Sequence, residues 1–220
     1  MYQWDFTQIW RYREILIIGL QYTLWFTVIS IVCGLIIGLL VALGRISSPR
    51  MLGVPLRGLV ELFRCTPFLV ILIWFYYALP VLLDVNLTAP MAAFLALSLY
   101  GASFYSEIIR AGIVSVDAGQ LEAARALGMR RHQAMRRIVL PQAFKRMIPP
   151  LMNQSMLQLK NTSLISVLAV PDLVYQGQLI AHETYRPLEV YTVVALSYFV
   201  VLFPATLLVQ RIENRLSVSD

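Results

Sequence analysis

The densest run of polar side chains, Asn153, Gln154, Ser155, Gln158, Lys160, Asn161, Thr162, Ser163 and Ser166, lies within an otherwise apolar stretch. Gln154, Gln158 and Thr162 recur every four residues, the spacing of one helix face. Lys160 brings an ammonium that can pair with a carboxylate, and the neighbouring amides and hydroxyls can orient the rest of a small polar molecule. The same lysine can instead snorkel outward, or pair with Asp172 or Glu107 and lock two helices together. Glu61 with Arg64, and Glu107 with Arg110, are three apart and share a helix face, as structural or gating pairs do. No GxxxxGK[ST] phosphate loop occurs, so the chain itself is not expected to bind and hydrolyse ATP. Cys33 and Cys65 have no CxxC spacing and read as small apolar side chains. His132 and His182 are far apart in sequence, so no metal or nucleophile constellation is legible.

The elements that must position these groups are membrane helices. The chain has 220 residues, of which 59% are hydrophobic and only 14% charged. Its mean hydropathy is +0.70. Soluble domains carry about 25% charged residues. That excludes an ordinary cytosolic enzyme, a disordered protein and a disulfide scaffold. A helical crossing needs about 20 apolar residues. Runs at 15–43, 59–83, 90–109, 147–170 and 188–209 meet this, which predicts an all-α integral membrane protein with five transmembrane helices. The first run is too long for a signal core and reads as retained. Pro67 and Pro80 are expected to kink or end the second helix, and Pro204 to kink the fifth.

Basic residues orient the chain. Arg45, Arg50, Arg57 and Arg64 follow the first run. Arg110, Arg125, Arg130, Arg131, Arg136, Arg137, Lys145 and Arg146 follow the third, and Arg211 and Arg215 the fifth. The other two connections carry Asp84, then Asp172, Glu183, Arg186 and Glu189. Lysine and arginine mark the cytoplasmic side. The expected layout is an external segment 1–14, a membrane domain 15–211 and a cytoplasmic tail 212–220. Arg11 and Arg13 oppose it but are outnumbered. Trp4, Trp10, Tyr12, Tyr185 and Tyr191 fit an outer aromatic belt. The net charge of +6 is thus spread over membrane-flanking segments, and no basic surface is left for nucleic acid.

The longest polar stretch has internal order. Leu121 to Leu127 is a run of good helix formers, and Gly128 suits a left-handed cap. A second helical segment, 132–139, is expected to end at Leu140-Pro141, because proline cannot continue a helix in normal register. The segment 117–146 is therefore a compact cytoplasmic knob tied to two crossings. Such a knob can carry force from a soluble partner into the membrane.

Glu122-Ala123-Ala124, then Gly128, then Ile138-x-Leu140-Pro141 resembles the EAA loop of ABC-importer permeases at each of these positions. Glu61-x-x-Arg64-Cys65-Thr66-Pro67, the segment 105–113, Pro141-Gln142-Ala143-Phe144, Lys160-Asn161-Thr162-Ser163-Leu164 and the segment 186–191 resemble signatures of the polar amino-acid permeases. That family serves glutamine, glutamate, histidine and arginine. Cys65 replaces its usual small residue, and Asn161 stands where many members have Asp.

The resemblance implies a type I importer permease fold in the bacterial inner membrane. It implies ATPase subunits that hold ATP and Mg, a second permease chain, identical or homologous, an external substrate-binding protein, and no cofactor on this chain. Glu122, Ala123, Ala124, Arg125, Leu127 and Gly128 would couple to the ATPase. Gln154, Gln158, Lys160, Asn161, Thr162 and Ser163 would bind a polar L-amino acid, and the neutral Asn161 favours glutamine or glutamate over cations. A methionine-type importer is the nearest alternative. A secondary transporter or channel would call for inverted repeats, and a membrane enzyme for a catalytic cluster; neither is legible.

Overall fold

The computed structural model describes residues 2–47 and 51–217. Arg50, counted above among the orienting bases, and the last three residues of the tail lie outside the described residues. Among the described residues ten α-helices run in chain order: α1 Thr7–Trp10, α2 Arg13–Ser47, α3 Gly53–Cys65, α4 Phe68–Leu83, α5 Ala89–Val114, α6 Ala118–Ala126, α7 Arg131–Ala134, α8 Leu140–Thr162, α9 Leu173–Thr184 and α10 Pro187–Ser217. A π turn, Met135–Val139, joins α7 to α8, and a 3-10 turn, Ser163–Leu168, follows α8. No strand occurs among the described residues.

Three helices, α2, α5 and α10, are long and apolar enough to cross a membrane alone. Two bent pairs are long and apolar enough only when taken together: α3 with α4, bent by 109°, and the helical stretch through α8 with α9, bent by 47°. The break expected at Pro67 is present, and the segment expected over 59–83 is two helices that begin at Gly53. Pro67 has no N–H to continue the ladder, and it holds Thr66 in an extended conformation, φ −103° and ψ 132°. Pro80 lies inside α4 three residues before its end, and Pro204 lies inside α10.

Helix α9 was not expected. Asp172 caps it, its carboxylate accepting the Tyr175 N–H at 2.9 Å, and Leu173, Gly177 and Ile180 form its buried face. Helix α8 also continues through Leu140-Pro141, where an end was predicted. The π turn bonds the Leu140 N–H to the Met135 carbonyl, and the added residue accommodates the missing proline donor.

The core is built on close approach of α2 and α5. One face of α2 buries Gly19, Thr23, Thr27, Ser30, Gly34, Gly38 and Ala42, nearly all small. Against it lie Ala102, Tyr105 and Ser106 of α5. A Cβ on Gly38 would stand 2.9 Å from the Ala102 carbonyl oxygen, so glycine is what permits this spacing. Thr23, Thr27 and Ser30 donate their hydroxyls to carbonyls one turn back, which satisfies them inside the bundle. Apolar clusters fill the remaining junctions. Phe63, Phe68, Ile71, Leu72 and Phe75 pack on α5, Leu16, Leu173, Ile180 and Val190 close one end, and Ala42, Ile109, Ala143 and Met147 close the other.

Each end is also fastened by polar contacts. At one, Glu189 accepts from Tyr2, from the Asp5 amide at 3.1 Å and from Arg186 at 2.9 Å. At the other, Arg45 of α2 reaches Glu107 of α5 at 2.8 Å, and Glu107 also takes Arg110. The predicted i,i+3 pairs thus form, with Glu61–Arg64 at 3.5 Å, and Arg45 joins one of them from 62 positions away.

Candidate functional site

The knob begins at Asp117, whose carboxylate accepts the Gly119 N–H at 2.7 Å and caps α6. This cap starts the helix at Ala118, three residues before the expected run. At the other end, Met129 N–H reaches the Ala124 carbonyl at 3.0 Å and Gly128 N–H the Arg125 carbonyl at 2.9 Å. These two bonds make a Schellman turn, and Gly128 adopts φ +76° as that turn requires. The left-handed cap expected from sequence is therefore present. Gln133 then accepts the Arg130 N–H at 2.9 Å and starts α7.

Burial divides the six coupling candidates. Ala124 is buried beneath α6, whereas Glu122, Ala123, Arg125, Leu127 and Gly128 are exposed. Leu127 is 82% exposed at the end of the helix. An apolar side chain so placed, with a carboxylate and a small residue on the same short helix, is a surface built for contact. The knob is also held to the bundle. Arg146 of α8 donates to the Ser115 carbonyl at the end of α5, and Met147 packs beside Ile109 and Ala143. Helix α6 follows α5 after three residues and packs on the π turn that leads into α8.

The polar run on α8 is split between two faces. Gln154, Gln158 and Thr162, expected to bind the substrate, are buried inside the chain. Gln158 donates its amide to the Leu97 carbonyl at 2.7 Å and to Ser30 at 3.3 Å, and its head lies against Gly101. Helix α5 covers this face because Gly101 offers no side chain to hold α8 away. Thr162 and Ser163 donate to the Leu159 and Lys160 carbonyls, at 2.6 and 2.7 Å.

Lys160 points to the other side and is exposed, and Asn161 and Ser163 are half-exposed. Lys160 joins no ion pair among the described residues. Both partners weighed from sequence are engaged elsewhere, Glu107 with Arg45 and Arg110, and Asp172 at the start of α9. The two candidate regions do not converge. They sit at opposite ends of α8, joined by its helical stem. Among the described residues no group of His, Cys, Asp or Glu is arranged to hold a metal ion.

Known proteins share this arrangement. The glutamine transport system permease protein GlnP of Escherichia coli (strain K12) is 33% identical over 217 residues, covering 98% of this chain and 99% of that one. The glutamate/aspartate import permease protein GltK of Escherichia coli O157:H7 is 36% identical over 225 residues, with the same coverage, 98% and 99%. A crystal structure of an amino acid ABC transporter with histidines superposes at a TM-score of 0.91 with 36% identity, covering 97% of this chain and 100% of that chain. A family model described as the binding-protein-dependent transport system inner membrane component matches residues 34–218. With that match over most of its length, the chain belongs to the family of binding-protein-dependent transport system inner membrane components.

Proposed function

We propose that the chain is the permease subunit of an ATP-driven importer for a polar L-amino acid, glutamine or glutamate foremost. It works as a homo- or heterodimer with two ATPase subunits and an external binding protein. The observation that carries this reading is α6: an EAA helix with Glu122, Ala123 and Leu127 exposed, set between α5 and the π turn that leads into α8. The permeases named for glutamine and for glutamate and aspartate support the substrate class.

In this mechanism five crossings, two of them bent, place the N-terminal segment outside and the knob and carboxyl end in the cytoplasm, the arginine-rich side. ATP and Mg bind on the partner ATPase. Closure of the ATPase dimer moves its grooves, and α6 follows because Glu122 makes a polar contact there while Ala123 permits close approach. The movement passes through the Arg146–Ser115 contact into α5 and α8, and the bundle rocks between inward- and outward-facing forms. Lys160 receives the substrate carboxylate from the exposed side of α8, and Asn161 and Ser163 orient the remainder. Gln154, Gln158 and Thr162 support that strip from behind. The neutral Asn161, where a negative charge is absent, disfavours cationic side chains by Coulomb's law.

Reconstitution with the ATPase and binding protein tests this reading, with ATP hydrolysis recorded for each amino acid in turn. Stimulation by glutamine or glutamate is the expected result. A flat response to every amino acid from an assembled complex would contradict it.

A further inference from the structure

Where α2, α3 and α5 meet near the knob, a cavity of about 280 Å³ is lined by Arg45, Gly53, Arg57, Glu61, Glu107 and Arg110. Its lining is rich in hydrogen-bond donors. Glu107 engages two guanidiniums, Arg45 at 2.8 Å and Arg110 through Nε at 3.2 Å. One carboxylate cannot saturate two guanidiniums, each of which carries five N–H groups. Arg45 is held within the bundle, its side chain only 8% exposed. Arg57, one helical turn beyond the start of α3, forms no ion pair among the described residues. Among the lining residues Arg45, Arg57 and Arg110 outweigh Glu61 and Glu107 by three to two, a local charge of +1.

The three helices that line this cavity also expose apolar side chains: Leu40 and Leu43 of α2, Val54, Leu59 and Leu62 of α3, and Val114 at the end of α5. Donors suited to an oxyanion are therefore carried on the same helices as surface suited to hydrocarbon, a pairing that an amphiphile satisfies and a soluble anion does not. Arginine pairs with phosphate through two parallel N–H···O bonds. Basic pockets between membrane helices on the cytoplasmic side take acidic lipid headgroups.

We propose that this cavity binds the phosphate of an acidic phospholipid, whose acyl chains lie on the exposed faces of α2 and α3. Assignment to the cytoplasmic leaflet rests on the orientation given above; binding itself does not.

The test is native mass spectrometry of the permease–ATPase complex released from nanodiscs of mixed phosphatidylglycerol and phosphatidylcholine. Arg57→Gln is expected to reduce retained phosphatidylglycerol about tenfold, the loss of one charged hydrogen-bonded contact. Arg57→Lys is expected to fall between, since it keeps the charge and loses the fork. Arg215→Gln, an exposed arginine elsewhere in the chain, should change nothing. Equal retention in wild type and Arg57→Gln would overturn the proposal, as would an equal loss in Arg215→Gln. Excess inorganic phosphate should leave the lipid in place; if it strips the lipid, the site is one for a soluble oxyanion and the lipid assignment fails. Because lipid retention is read without transport, failure here leaves the importer reading standing.

Discussion

Replacing Gly38 with alanine forces one methyl group into the closest approach of α2 and α5. The new Cβ would stand 2.9 Å from the Ala102 carbonyl oxygen, 2.9 Å from the Tyr105 Cβ and 3.0 Å from the Ser106 nitrogen. Ordinary contact begins at 3.4 Å, and none of the three atoms is the loose end of a side chain. The helices must therefore separate, which loosens packing along the whole seam. Overpacking of this kind costs about 1–3 kcal/mol. At about 2–4 °C per kcal/mol for a chain of this size, the melting temperature falls by about 2–12 °C. Gly58 supplies the opposite case. It lies in α3 with nothing within 4 Å of its would-be Cβ, so alanine there gains up to about 1 kcal/mol of helix preference. Thermal unfolding of the purified chain in detergent, followed by intrinsic fluorescence, compares the two. A Gly38→Ala protein that melts with the wild type would refute the close-approach argument, and so would an equal drop in Gly58→Ala.

Four further outcomes follow from the geometry. Gly128→Ala meets no neighbour within 4 Å, so its cost is that of a side chain at φ +76°, about 1–2 kcal/mol confined to the knob. Retention of the ATPase on purification should fall, and Gly128→Asn should fall less. Glu107→Gln leaves Arg45 and Arg110 without their shared carboxylate and should destabilise by about 1–3 kcal/mol, with a double-mutant cycle against Arg45→Gln giving a coupling well above measurement error. Lys160→Met should leave the melting temperature within about 1 °C, because the side chain is exposed and without an ion pair, while amino-acid uptake is lost. Gln158→Leu should do the reverse in stability, since it abandons the Leu97 carbonyl in the core, and equal thermal effects of the two would refute the division of α8 into two faces.

What sequence revealed and what it concealed divide along a physical line. Long apolar runs specify α2, α5 and α10 because each signal is contained in its own segment. The α6 helix and the Gly128 turn were legible for the same reason: good helix formers, a cap and a glycine lie within a dozen residues. Helix α9 escaped because its mixed composition resembles a connection. The Asp172 cap with Leu173, Gly177 and Ile180 at helical spacing was the signal present. The 109° turn at Pro67 was foreseeable as a break but not as an angle, since α5 and α2 determine where α3 lies. The π turn before Pro141 is a tertiary compromise that keeps a long helix intact. The four-residue repeat of Gln154, Gln158 and Thr162 did identify one face. It could not reveal that Gly101, over fifty positions earlier, opens α5 to receive it. Arg45 was read only as an orienting charge, because its pairing with Glu107 exists only once α2 and α5 are packed.

Glu122→Arg addresses directly the proposed contact through which α6 receives force from the ATPase. The side chain is exposed, so the substitution leaves the chain's own packing alone. ATP-driven uptake into proteoliposomes, measured at equal permease abundance, should fall by at least about tenfold, the effect of replacing one favourable charged contact by a repulsive one. Uptake at the wild-type rate, with the ATPase bound in normal stoichiometry, would contradict the central claim.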